Sequence, residues 1–336
     1  MTSIKDIAQA CGISVATVSK ALRGYSDVSS ETREKVKAMA DRLGYVPDSI
    51  AQTMRTNATR NLGVVFIDEA GSGLRHEYFS SLLESFKRTV EKQGYDITLI
   101  SSNTEGAPWH SLLTHCQYRR CDGVLIACVD FTNPQVTELA NSDIPIITID
   151  YQFPDSPAIF SDNRHDMKTL TDYVISRGHR NIAFIHGERT QVTEERIAGF
   201  TDACSEHGIE VPPSNLLEAE FHNPEQSERA TQLLLSLAQP PTCIMYPDDY
   251  SAICVSSILR QRGVHIPEQL SIVGYDGIMM SRIIYPTLTT MRQNAFDIGQ
   301  LAAEKLIGEI EGTASDEQTA TIVRGSLYPG ETVRSL

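Results

Sequence analysis

Cationic residues are in short supply in this chain: 29 Lys and Arg stand against 43 Asp and Glu in 336 residues, a formal charge of −14. Spread evenly, that charge would argue against a nucleic-acid partner. Long apolar runs are also missing, and the chain opens on polar Thr2, Ser3 and Lys5. Neither an export signal nor a membrane span is therefore expected, which places the protein in the cytoplasm. The seven cysteines are scattered without paired metal-ligand spacing and read as reduced core thiols rather than a disulfide framework. Catalytic motifs are lacking as well. His76-Glu77 has no second histidine to complete a zinc-protease helix, Gly71-Ser72-Gly73 is only a loop signal, and no nucleophile elbow or phosphate loop appears. An enzyme is not expected, and no cofactor or metal is called for.

The charge is in fact uneven. Residues 1–61 carry nine Lys/Arg and six Asp/Glu, a net +3, which leaves −17 on the remainder. A basic head on an acidic body keeps attraction for phosphates local. Within the head, residues 4–22 read as two short helices around a tight turn. Ile4, Ile7 and Ala8 form an apolar stripe at helical spacing, Gly12 suits the bend, and Ser14 is placed to cap the second helix. Packing Ile13, Val18 and Leu22 inward leaves Val15, Ala16, Ser19 and Lys20 outward, a small polar helix start fit for a major groove. A third helix is predicted after Ser29, with Glu31 in its first turn, Val36, Met39, Ala40 and Leu43 on its buried side, and Gly44 at its end.

At this point the chain resembles the lactose-repressor/galactose-repressor (LacI/GalR) family of bacterial transcription regulators. The resemblance is carried by Ile4–Ala8, Val15–Leu22, Val28–Val36 and Leu43-Gly44-Tyr45-Val46-Pro47. It implies that Val15, Ala16 and Lys20 read bases and that Ser14, Thr17, Ser19, Thr32 and Tyr45 contact phosphates. Lys20 replaces the family's more frequent arginine, which softens discrimination of guanine. The segment after Pro47 is too short to be a stable helix alone. By resemblance it is a hinge that folds on operator DNA, with Met54 as the minor-groove wedge.

From Leu62 onward, β-rich runs alternate with helical stretches. Strands are predicted at 62–67, 96–101, 123–127 and 144–149, then at 181–186, 242–245 and 269–274. Two such series imply two doubly wound parallel-sheet lobes with a ligand cleft at the carboxyl ends of the strands. Gly178–Ile185, Arg196–Phe200, Ile266–Asp276 and Leu288–Gln293 extend the resemblance along the body. The implied fold is a three-helix DNA-binding domain (1–46), a hinge helix and linker (47–61), and a body of periplasmic-binding-protein type. Its first lobe takes residues 62–160 and 290–320 and its second 161–289 and 321–336, with crossings near 160, 290 and 321.

Carried over by motif, the effector residues are Arg196, Asp276, Asp248, Asp249 and Phe221 from the second lobe and Tyr78, Phe79 and Asp162 around the first. An arginine, carboxylates and a flat aromatic face suit a polyhydroxylated ligand. A sugar is therefore the expected effector, ahead of a purine or nucleoside and of a sugar phosphate. The residue pair Asp166-Met167 stands where the family often has two glycines, which alters that loop. A free-standing sugar-binding protein would share the body but would need an export signal and would have no use for residues 1–55. The expected protein is a transcription regulator, most simply a repressor, acting as a homodimer on a pseudo-palindromic double-stranded operator. The chain lacks a C-terminal leucine-heptad helix, which favours a dimer over a tetramer.

Overall fold

The computed structural model describes residues 2–45, 58–67, 73–102, 105–313 and 319–336. Met54 and most of the predicted hinge lie outside the described residues. The chain divides into two compact units, Met1–Thr59 and Arg60–Leu336.

The described residues of the first unit hold three helices, α1 (Ile4–Cys11), α2 (Val15–Leu22) and α3 (Ser30–Arg42). Gly12 ends α1 at φ 69°, a conformation that costs glycine little and other residues more. The Oγ of Ser14 accepts the Thr17 backbone N–H at 3.1 Å and shares a 2.9 Å hydrogen bond with the Thr17 hydroxyl. Ser29 repeats this device with Thr32 at the start of α3. Ile7, Val18 and Val36 are fully buried where the three helices meet, and Ile4, Ile13, Leu22, Met39, Leu43 and Tyr45 pack around them. Burial of that one small core, at about 25 cal/mol per Å², is what holds such short helices.

The second unit contains two six-stranded sheets of the same winding. In the first the order is β2–β1–β3–β4–β5–β11, formed from Asp96–Ile100, Asn61–Phe66, Gly123–Ala127, Ile146–Ile149, Ala158–Ser161 and Ala320–Val323. In the second it is β7–β6–β8–β9–β10–β12, formed from Leu216–Glu218, Ile182–His186, Cys243–Met245, Ser271–Asp276, Thr289–Arg292 and Ser326–Tyr328. All pairings are parallel except that of β10 with β12. Helices cover both faces, which is why β3, β4 and β6 are buried at every position and read as unbroken apolar runs rather than alternating ones.

Close helix approach explains two glycines. A Cβ at Gly199 would lie 2.2 Å from the Arg164 carbonyl oxygen, and one at Gly299 would lie 2.2 Å from that of Leu82. These are the contacts of helix Gln191–Glu206 on Asn163–Ser176 and of helix Ala295–Glu311 on Glu77–Lys92.

The chain passes between lobes three times, and two of the expected boundaries move. Residue 290 falls inside β10, which lies in the second sheet, so the second crossing comes at 293–294. Residue 321 falls inside β11, which pairs with β5 in the first sheet, so the third comes at 324–325. Both shifts arise because a strand's sheet is fixed by its hydrogen-bond partner, which local pattern does not show. At the first crossing Asp162 accepts from the Arg324 Nε at 3.0 Å, and Asp166 accepts the Gly325 N–H at 2.8 Å. The first and third crossings are thus tied together by two carboxylates. Among the described residues, no helix is long and apolar enough to cross a membrane.

Candidate effector cavity and DNA-facing helix

The winding order of each sheet reverses beside β1 and β6, and the loops leaving the carboxyl ends of the strands converge there on a cavity of about 700 Å³. Asp150 and Tyr151 follow β4, Phe131 follows β3, Glu188 follows β6, and Phe221 and His222 follow β7. Asp276 ends β9 and Gln293 follows β10. From the first lobe, Tyr78 and Phe79 enter from the start of helix Glu77–Lys92, with His76 just ahead of them.

Two stacked aromatic pairs are among the lining residues. The His76 and His222 rings stack across the lobes with centroids 4.0 Å apart and 25° between planes. Phe131 and Tyr151 stack at 4.4 Å and 6° on the first-lobe side. Phe79 meets both His76, at 4.9 Å, and Tyr78, at 4.8 Å, edge to face.

Several of the polar groups are already oriented. Arg196 is 5% exposed; its Nε donates to Asn163 Oδ1 at 2.9 Å and an Nη to the Pro247 carbonyl at 3.2 Å, while its guanidinium lies 3.7 Å from the Tyr275 ring centroid. Asp150 accepts the Ser161 N–H at 2.7 Å, and burial pushes its carboxyl up to about 6. Asp276 accepts from Gln293 Nε2 at 2.7 Å, and burial raises it to about 6 as well, against the lowering influence of Arg196. Burial also lifts Glu188, which accepts the Phe221 N–H at 3.0 Å. Burial, with His222 and Arg196 near, pulls His76 down to about 3, so it is neutral at physiological pH.

Of the effector residues expected from sequence, Tyr78, Phe79, Arg196, Phe221 and Asp276 line this cavity, whereas Asp162, Asp248 and Asp249 do not. Asp162 caps helix Asn163–Ser176 and pairs with Arg324. Asp248 caps helix Asp249–Gln261 through the Ser251 N–H at 2.7 Å and takes the His222 N–H at 2.9 Å, so it sets His222 from behind. Asp249 is fully buried and accepts the Ile278 N–H at 2.9 Å. Each of the three accepts a backbone amide, and Asp162 an arginine as well, a use that residue type alone does not distinguish from ligand binding. His76, His222, Asp150, Glu188 and Gln293 were missed. The available signal was their place one to four residues beyond a strand's end or just before a helix.

In the first unit Val15 is 41% exposed, and Ser14, Ala16 and Lys20 are exposed beside it. Lys20 is paired with Asp27 through its ammonium. Thr17, Ser19, Thr32 and Tyr45 are half-buried. The hydroxyls of Ser14 and Thr17, and of Ser29 and Thr32, stand at the amino ends of α2 and α3, where backbone N–H groups and helix dipoles favour an anion.

A family model for bacterial regulatory proteins, lacI family, matches residues 3–48, and one for a periplasmic binding protein-like domain matches residues 171–333. The chain is 30% identical over 319 residues to the HTH-type transcriptional repressor PurR of Aliivibrio fischeri, covering 93% of this chain and 92% of that protein. It is 28% identical over 340 residues to PurR of Pasteurella multocida, covering 100% and 99%. The structure of the Lac repressor dimer bound to operator and the anti-inducer ONPF superposes with a TM-score of 0.83 at 22% identity, covering 99% of each chain. The transcriptional regulator CelR–cellobiose complex gives 0.69 at 22% identity over 99% of this chain and 100% of that one. These likenesses establish the head-plus-two-lobe fold.

Proposed function

Since this chain belongs to the LacI family of bacterial transcription regulators, DNA-binding repressors with an effector-binding body, we propose that its effector is a flat nitrogen heterocycle of the purine or nucleoside class. The observation that carries this reading is two stacked aromatic pairs, His76 on His222 and Phe131 on Tyr151, among the residues lining a cavity large enough for such a ligand. A sugar, the effector expected from sequence, needs a dense set of polar partners. Here two N–H groups of Arg196 are already spent on Asn163 and Pro247, and Asp248 and Asp249 lie outside the lining. Of the carboxylates that do line it, Asp150, Glu188 and Asp276 suit the N–H edges of a heterocycle or the hydroxyls of a ribose. The full-length similarity to repressors named PurR agrees with this choice.

The head then binds double-stranded, pseudo-palindromic operator DNA. Val15, Ala16 and Lys20 read bases, Ser14, Thr17, Ser19, Thr32 and Tyr45 hold phosphates, and Met54 wedges the minor groove. Two copies act together. Met279, Ile283 and Tyr285, which are 63, 64 and 81% exposed on one short helix and turn of the second lobe, offer apolar surface of the kind a partner copy covers. Effector binding alters operator affinity, for which a coupling of about 1–3 kcal/mol suffices.

The test is a thermal-shift screen of nucleobases, nucleosides, sugars and sugar phosphates, repeated with operator affinity as readout. A stabilising purine or nucleoside that shifts DNA affinity is the expected result. Stabilisation by a sugar alone would overturn the assignment.

A further inference from the structure

Three metal-ligating side chains of the cavity stand together. One nitrogen of His76, one of His222 and a carboxylate oxygen of Asp276 all lie within 4.8 Å of one another. In a tetrahedral site with bonds near 2.0–2.1 Å, ligand atoms stand about 3.3 Å apart, so a closure of roughly 1.5 Å at most, with the two rings turned out of their stack so that their in-plane lone pairs converge, brings these three to coordination distance. The three come from both lobes. His76 precedes helix Glu77–Lys92 in the first, and His222 and Asp276 follow β7 and end β9 in the second. A short seam already links the lobes at this spot, where the Met279 N–H donates to Glu77 Oε1 at 2.5 Å.

We propose that His76, His222 and Asp276 form a divalent transition-metal site of the zinc class, with a fourth position open to the cavity, and that the bound ion fastens the two lobes together. Two histidines and a carboxylate are a donor set that zinc, cobalt and nickel accept readily and that calcium and magnesium do not favour. Two further observations point to an occupant. The Nδ1 of His76 is buried and has no hydrogen-bond partner among the described residues, although buried ring nitrogens are ordinarily satisfied. The supporting contacts that a metal site uses to orient its ligands are also in place: Gln293 holds Asp276 at 2.7 Å, and Asp248 fixes the backbone of His222 at 2.9 Å. The nearby carboxylates of Asp150 and Glu188 offset the positive charge of Arg196 for an arriving cation. Capture of the metal does not depend on which organic ligand fills the cavity. If that ligand is a purine, as read above, a ring nitrogen is a natural donor for the open fourth position.

The experiment uses the full-length protein, stripped with a chelator, titrated with Co²⁺ and separately with Zn²⁺, with no organic ligand present. Wild type is expected to develop the visible ligand-field band of four-coordinate cobalt, saturating at one equivalent and free of thiolate charge transfer, and to gain thermal stability with zinc. His76→Ala and His222→Ala should each weaken binding by at least about tenfold. Unfolding midpoints without metal check that the variants fold, and His222→Gln serves if either alanine variant does not. Absence of the band in wild type, a thiolate signature pointing to a cysteine site, or a band unchanged in folded His76 and His222 variants would each overturn the proposal. Metal binding without any effect of nucleosides would instead count against the purine reading and leave the metal site standing.

Discussion

Replacing Arg196 by alanine should damage the body before it tells anything about ligand binding. The guanidinium is 5% exposed, donates to Asn163 and the Pro247 carbonyl, and lies on the Tyr275 ring. Hydrogen bonds from a charged group contribute about 1.5–3 kcal/mol each and a desolvated cation–π contact about 2. Against that gross sum stands the hydration a buried arginine gives up, so breaking the arrangement should cost about 3–5 kcal/mol net. At roughly 2 °C per kcal/mol for a body of this size, the melting midpoint should fall by about 6–10 °C.

The loss should also depend on pH, and the sign follows from the carboxyls around Arg196. Asp150 and Asp276 have folded values near 6, raised above those of an unfolded carboxylate by burial and held down in part by Arg196. A raised carboxyl binds more protons in the folded state, so its contribution to stability is full at low pH and is lost as pH climbs through about 4 to 6. Without Arg196 both carboxyls move higher still, and the window extends upward. The deficit of Arg196→Ala should therefore be largest near about pH 7.5 and shrink near about pH 5.5, where both groups take up protons. Scanning calorimetry at the two pH values measures it. A midpoint drop below about 2 °C, or a drop equal at both pH values, would refute the account of Arg196 as the cation that compensates this acidic cavity.

Other substitutions isolate single links of the argument. Gly187→Ala would place a Cβ 2.1 Å from the Phe221 ring, which must swing away. Ligand affinity by calorimetry should fall about tenfold while stability changes by no more than about 1–3 kcal/mol, and unchanged affinity would remove Phe221 from the site. Gly199→Ala has backbone in its way, the Arg164 carbonyl at 2.2 Å, so it should cost at least about 1–3 kcal/mol; a midpoint within error of wild type would contradict the close helix approach. Asp27→Asn releases Lys20 from its ion pair and should tighten DNA binding by less than about tenfold with a steeper salt dependence; weaker binding would place Asp27 on the DNA side instead.

How much of this was legible beforehand differs between the two units. In the head, caps and periodicity are local, and Gly12, Ser14, Ser29, Val18 and Val36 do what their neighbours in sequence require. In the body the alternation of strands and helices was legible for the same reason. The short strands β5, β7, β10, β11 and β12 were not, because three or four residues carry too little pattern to stand out from loops.

The sequence alone therefore determined the family, the three-helix head, the two-lobed parallel architecture and an aromatic, arginine-bearing cavity, since each rests on contacts between residues near in the chain or on motifs that survive intact. Tertiary structure alone decided which acids face the cavity. Asp248 and Asp249 look like ligands until their carboxylates are seen accepting backbone amides, whereas Asp150 and Glu188 look like loop residues until the sheets bring them to the cleft. It also decided that His76 and His222, 146 positions apart, stack ring on ring. Proximity across lobes depends on where a chain that crosses three times returns, and no local preference encodes that.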